Sequence, residues 1–221
     1  MLAGSNPPHG TAYAVLDTAT KLIGKNCTFT LGLNNGGVDV VLRRAVPLKF
    51  QGSGIYWNSQ AKGKNYVVNA QSVPLRDKEY LPDVMHHHAV DFITRNREKP
   101  FYLYYSMSHI HGEILPTPDS APDSKDLYAD NIAYMDKLVG QLVAELDRLK
   151  LREKTLIVFF GDNGTGGNYS DRATVNGRRL SGAKGDMLEG GALVPMIVNW
   201  PGKTPAGKIC TDMVDSTDFF P

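Results

Sequence analysis

Long apolar runs are missing from this 221-residue chain. None approaches the roughly 18–20 residues that span a bilayer, so no membrane span is expected. An excess of one charge is missing too: 24 Lys and Arg stand against 23 Asp and Glu, a formal net charge of +1. That balance argues against a nucleic-acid partner, which calls for a basic excess. Nor are Tyr and Phe interleaved with basic residues as a single-strand platform requires. Cysteine is scarce. Cys27 and Cys210 lie far apart without metal-type spacing and read as two thiols, with one long-range disulfide the alternative. No G-x-x-x-x-G-K-[ST] loop, G-x-S-x-G elbow or H-E-x-x-H helix occurs, so those phosphate, acyl-transfer and zinc chemistries have no signature here. Met1 to Pro8 shows no basic stretch followed by an apolar core, and no signal peptide is expected there.

Regularity is scarce in the first third. Gly and Asn cluster at Leu33 to Gly37 and Gln51 to Gly54, and short apolar stretches such as Val38 to Leu42 suit strands. The pattern changes near residue 75, which divides an irregular segment 1–75 from a regular one 76–221. In the latter, Asp83 is positioned to cap a helix running to about Asn96. Phe101 to Tyr105 is a short aromatic strand. Leu127 to about Lys150 forms the longest helix, with Ile132, Met135, Val139, Leu142, Leu146 and Leu149 at steps of three and four giving one buried stripe. Lys154 to Phe160 and Leu193 to Val198 are further strands. Helices alternating with strands predict an α/β fold with a mostly parallel central sheet flanked by helices. Ligands gather at the carboxyl ends of strands in such sheets.

Two polar groups stand at such ends. Asp162 and Asn163 follow the apolar run Leu156 to Phe160; a carboxylate and an amide carbonyl are hard oxygen donors suited to Ca2+ or Mg2+. Asp-Asn-Gly is equally turn chemistry. Lys184 lies between Gly182 and Gly185, where the backbone can approach a ligand and an ammonium can meet an anionic oxygen; a solvated loop lysine is the alternative. His109 and His111 follow the aromatic strand and alternate, so both can share a face, with His109 the more structural of the two. His86, His87 and His88 are consecutive on a helix, point in different directions and cannot converge on one ion; they suit surface or partly packed positions.

In their order and spacing these segments resemble the sulfatase family of the alkaline-phosphatase-like superfamily. The resemblance runs from about Lys78 to Pro221. It is carried by Ala89 to Ile93, Lys99 to Ser106 with His109 and His111, Tyr134 to Gly140, Thr155 to Gly164, Lys184-Gly185 through Glu189-Gly190-Gly191, Val194-Pro195, Trp200-Pro201-Gly202 and Asp215 to Pro221. It implies an alkaline-phosphatase-like fold, here incomplete, and hydrolysis of a sulfate ester, either a small molecule or a sulfated glycan. Asp162 and Asn163 match metal ligands, usually for calcium; Lys184 matches a lysine that contacts the sulfate and assists the leaving oxygen; His111 matches a histidine beside the sulfate. The family setting implied is periplasmic or secreted, and no motif bears on oligomeric state.

Several positions depart from the family pattern. Its nucleophile is a formylglycine made from Cys or Ser in C/S-x-P-x-R. Cys27 is followed by Thr28-Phe29-Thr30 and Cys210 by Thr211-Asp212-Met213, and the chain is expected to lack that motif. No Asp-Asp pair occurs. Leu22 to Asn26 resembles a glycine-lysine segment, making Lys25 a candidate second sulfate contact, but Cys27 stands where a histidine follows and Glu113 where a proline follows His111. The expectation is therefore the central part of a sulfatase catalytic domain, with 1–75 a degenerate remnant of the preceding region and little turnover of its own. A phosphodiesterase or phosphonate hydrolase of the same superfamily, or a non-catalytic binding protein, are the alternatives.

Overall fold

The structure is a computed structural model that describes residues 28–31, 40–42, 50–51, 56–57, 65–68, 71–111, 113–215 and 218. Lys25 and Cys27 lie outside the described residues. The backbone forms two compact units, residues 1–149 with 211–221, and residues 150–210.

In the first unit, strands β1 (Thr28–Leu31) and β2 (Val40–Leu42) pair antiparallel, and β1 pairs parallel with β6 (Phe101–Leu103). Helix α1 (Leu81–Asn96) precedes β6, as a crossover into a parallel pair requires. A second antiparallel sheet joins β3 (Phe50–Gln51), β4 (Asn65–Val68) and β5 (Gln71–Pro74). Helix α1 starts two residues before the expected Asp83. Pro82 is the reason: its fixed φ and missing N–H suit the first turn. Asp83 is not the cap; its carboxylate accepts the Tyr134 hydroxyl at 2.8 Å.

Helix α2 (Leu127–Arg148) is capped by Asp126, whose carboxylate accepts the Ala129 N–H at 3.1 Å. Its buried face is Asn131, Tyr134, Leu138 and Leu146, whereas Ile132 is 41% exposed. Of the expected stripe, Leu146 is buried, Met135, Val139, Leu142 and Leu149 are half-buried, and Ile132 is exposed. Tyr134 is drawn in by Asp83, and Asn131 by the Leu115 and Leu127 carbonyls at 2.8 and 2.7 Å. The Asn131 amide nitrogen is thereby satisfied, while its Oδ1 is buried with no partner among the described residues. Tyr56, Tyr80, Tyr134 and Leu138 form the core here, flanked by Trp57 and Met107.

The second unit is built on β7 (Ile157–Phe160) and β10 (Met196–Asn199), which pair antiparallel, Met196 opposite Phe160 and Asn199 opposite Ile157. Between them lie a 3-10 turn at Gly167–Arg172, the hairpin β8 (Thr174–Val175) and β9 (Arg178–Arg179), and helix α3 (Glu189–Ala192). A parallel return needs a crossover, usually a full helix; four-residue α3 does not supply one, and the chain comes back antiparallel. The fold is mixed α/β. Among the described residues β1–β6 is the one parallel pair, so these residues do not display the mostly parallel sheet that the alternation predicts.

Candidate functional site

Sheet β7–β10 delivers Asp162 and Asn163 at the carboxyl end of β7, after Gly161 N–H bonds the Pro195 carbonyl at 3.2 Å. From there the loops are laced by backbone. Gly164 N–H donates to Gly191 O at 2.9 Å, Lys184 N–H to Thr165 O at 2.8 Å, and Gly190 N–H to Ser181 O at 2.8 Å. These approaches leave no room for side chains: a Cβ on Gly164 would lie 1.9 Å from Gly190 O, and one on Gly190 2.2 Å from Gly182 O. Gly182, at φ +83°, also makes the turn that precedes Lys184 in a conformation few other residues adopt. The glycines of this stretch thus bring the segment of Asn163 and the segment of Lys184 against each other.

The functional groups themselves face outward. Asp162 and Lys184 are exposed, and neither side chain makes a hydrogen bond or ion pair with the described residues. The Asn163 amide donates to Gly164 O at 2.9 Å, which commits its nitrogen and leaves its carbonyl oxygen as the available donor atom. That donor set, one carboxylate and one amide oxygen, is of the kind a hard cation takes and would be two of its six to eight oxygens. A bidentate pair, Arg178 to Glu189 at 2.7 and 3.0 Å, ties β9 to the first turn of α3 on either side of the lysine loop. Sequence reasoning passed over this pair; the acidic first turn of a helix facing an Arg-rich hairpin was the available signal.

His111 belongs to the first unit. Its N–H donates to the Tyr56 hydroxyl at 2.8 Å, and its Nδ1 is buried with no hydrogen-bond partner among the described residues. His109 is buried, its Nε2 lies 2.9 Å from the Tyr80 hydroxyl, and the rings of Tyr56, Tyr80 and Tyr134 surround it at centroid distances of 5.7, 5.9 and 6.0 Å. Burial disfavours its charged form and pushes its pKa down to about 4. His109 is a packed core residue. Of the three consecutive histidines, His86 is buried, with its pKa lowered by burial, while His87 is exposed and bonds the Asp83 carbonyl at 2.7 Å. Cys210 is exposed.

One expectation about the nucleophile is corrected. Ser72-Val73-Pro74-Leu75-Arg76 satisfies the bare S-x-P-x-R pattern. Ser72 lies within β5, exposed and paired with Val67 of β4 in a hairpin. It is not at the end of a strand, where sites of α/β sheets collect.

The model of the family described as Sulfatase matches residues 24–221. The chain belongs to the sulfatase family. The match begins about fifty residues before the segment whose sequence pattern carries the resemblance. Steryl-sulfatase of Rattus norvegicus is 35% identical over 141 residues, 60% of this chain and 24% of that protein. Arylsulfatase D of Homo sapiens is 31% identical over 163 residues, 72% of this chain and 27% of that protein. The chain therefore spans about a quarter of the length of these sulfatases. Among solved structures, Ps i-CgsB in complex with k-i-k-neocarrahexaose superposes with a TM-score of 0.65 at 26% identity, covering 79% of this chain and 44% of that one. PsFucS1 sulfatase from Pseudoalteromonas sp. gives a TM-score of 0.59 at 28% identity, covering 73% of this chain and 34% of that one. No described helix is long and apolar enough to cross a membrane.

Proposed function

We propose that this sulfatase-family chain carries the metal-binding and leaving-group side of a sulfate-ester hydrolase, and that it lacks a working nucleophile. The observation that carries the proposal is the glycine lacing that holds Lys184 and Asn163 in one loop system, through Lys184 N–H to Thr165 O at 2.8 Å. Asp162 and Asn163 are the residues that would hold calcium, with magnesium the smaller alternative. A bound cation there supplies positive charge to a developing oxyanion. Lys184 places its ammonium where it can neutralise the sulfate and give a proton to the departing alkoxide. His111 contributes an imidazole to the sulfate, and Lys25 is a second cationic contact. The whole protein would set these groups at the strand ends of a mostly parallel sheet, in a periplasmic or secreted setting. The sulfate ester proposed is a sulfated glycan or a small aryl or steryl ester; the k-i-k-neocarrahexaose bound to Ps i-CgsB supports a glycan.

If Ser72 is not converted to formylglycine, no attacking oxygen is defined, and the purified chain is expected to turn over little aryl sulfate. Metal-dependent hydrolysis that Ser72→Ala abolishes, with loss of H2 at Ser72 seen by mass spectrometry, would overturn that part. Calorimetric titration with calcium and inorganic sulfate tests the other part: Lys184→Ala should weaken sulfate, and Asp162→Ala should weaken calcium. Equal binding by both variants and the parent chain would remove these residues from the site. Cleavage of a phosphodiester in preference to a sulfate would instead assign the chain to the related phosphodiesterases.

A further inference from the structure

His111 has an unusual support. Its imidazole receives no hydrogen bond from any described residue, and its Nδ1 is buried without a partner. The position of the ring therefore follows from the position of its backbone. That backbone is held at both of its polar groups by a single side chain. The His111 N–H donates to the Tyr56 hydroxyl at 2.8 Å, and the single proton of that hydroxyl is shared between the His111 carbonyl at 2.8 Å and the Ser108 carbonyl at 3.0 Å. One phenol oxygen thus closes the Ser108 to His111 loop like a staple.

The staple is itself fixed. Tyr56 is fully buried, its ring stacks on Tyr80 at 6.1 Å and 20°, and its carbonyl accepts the Leu81 N–H at the start of α1 at 2.8 Å. Trp57 continues the strap, bridging to Tyr80 and donating its indole N–H to Pro116 O at 2.8 Å. Burial raises the phenol pKa, so the hydroxyl keeps its proton at ordinary pH.

We propose that Tyr56 is the positioning residue for His111: its buried hydroxyl, bonded to both peptide groups of His111 and to Ser108, sets where the imidazole stands. The catalytic purpose of this staple rests on the assignment of His111 to the sulfate.

The test is amide exchange and ring NMR at His111 in the labelled 221-residue chain. In the parent chain the His111 amide should exchange slowly. Tyr56→Phe keeps the ring and its stacking but removes the bonds; it should speed that amide by about tenfold or more and move the His111 ring signals. Tyr80→Phe removes the hydroxyl facing His109, leaves the staple and should leave the His111 amide slow. An amide that is already fast in the parent chain, still slow in Tyr56→Phe, or equally fast in Tyr80→Phe overturns the proposal. If Tyr56→Phe does not fold, the other two decide: slow in both supports the staple, fast in the parent chain overturns it. Inorganic sulfate added to the same samples separates the two readings. Sulfate that moves the His111 ring signals, and does so less in Tyr56→Phe, supports the positioning role. Sulfate that leaves them unmoved in the parent chain overturns the assignment of His111 and the catalytic purpose, while the amide data still judge the staple.

Discussion

The two units hold their shape by opposite means. Around Tyr56, Tyr80, Tyr134 and Leu138 the first unit is held by side chains: rings fill the volume, and hydroxyls reach carbonyls, a carboxylate and an imidazole. The second unit is held by the absence of side chains. Gly164, Gly190 and Leu180 are its buried residues, while Leu156, Leu193, Ile197 and Val198 are exposed, and backbone bonds between glycine segments do the joining. Aromatic packing tolerates small adjustments, because a ring can tilt. Backbone pressed on backbone cannot give, so the loops around Lys184 are specified by what each position must not carry.

The sharpest way to break this contrast is Gly190→Ala. Its Cβ meets a carbonyl oxygen at 2.2 Å with no flexible end to move aside. The expected loss is about 4 kcal/mol. It should appear as lost exchange protection at the Gly164, Lys184 and Gly190 amides while the Tyr134 region stays protected. A normally protected lysine loop in Gly190→Ala would sink the lacing argument.

Acidification is the next test, because it strikes one unit only. His109 sits at about 4 when folded against about 6.5 unfolded. The unfolded state therefore binds more protons between those values, and stability is lost as pH falls from about 6.5 towards 4. The loss amounts to about 3 kcal/mol if His109 acts alone. His86, lowered by the same cause, adds in the same direction. The second unit contains no histidine, so urea midpoints followed at Trp57 should fall over this range before the lysine-loop amides lose protection. A flat midpoint between pH 7 and 4.5 would show that His109 is wet.

Smaller effects sharpen the picture. Tyr134→Phe removes the bond to Asp83 but keeps the ring against Tyr80, and should cost about 1–2 kcal/mol in denaturant unfolding, with α1 and α2 still formed. Arg178→Ala breaks the bidentate pair with Glu189, but both groups are solvent-exposed. The unfolding midpoint should barely move, while the hairpin amides of Thr174 to Arg179 exchange faster. A large drop in midpoint would mean that this pair, and not glycine contact, holds the lysine loop.

Much of the local structure was legible in the sequence, for identifiable reasons. The apolar run before Asp162 marks a strand because nothing in it breaks extended pairing. The helix beginning at Leu127 was legible from its apolar steps of three and four, whereas its cap, Asp126, emerged only with the structure. The glycine before Lys184, Gly182, does mark a close approach, whereas Gly185 after it faces open space. Less was legible where the partner is remote. The aliphatic spacing of α2 included the buried Leu146 but also the exposed Ile132, and it did not show that Asn131 and Tyr134 turn inward, where Leu115 and Asp83 lie to receive them. The bare S-x-P-x-R at Ser72 shows the converse. A pattern present in the letters sits on a paired hairpin strand, which the letters do not reveal.

What the sequence by itself determined was periodicity, punctuation and kinship: the helices and strands, the polar groups placed after Phe160 and Tyr105, and the order of segments shared with sulfatases. Only the tertiary structure decided that β7 and β10 run antiparallel, that Asp83 serves Tyr134 and not its own helix end, and that Tyr56 holds His111 across fifty-five positions of chain. The physical reason is range. Propensity and capping act over a few residues and are written locally. A hydrogen bond from Tyr56 to His111 is worth making only once the intervening chain has folded and excluded water from both ends.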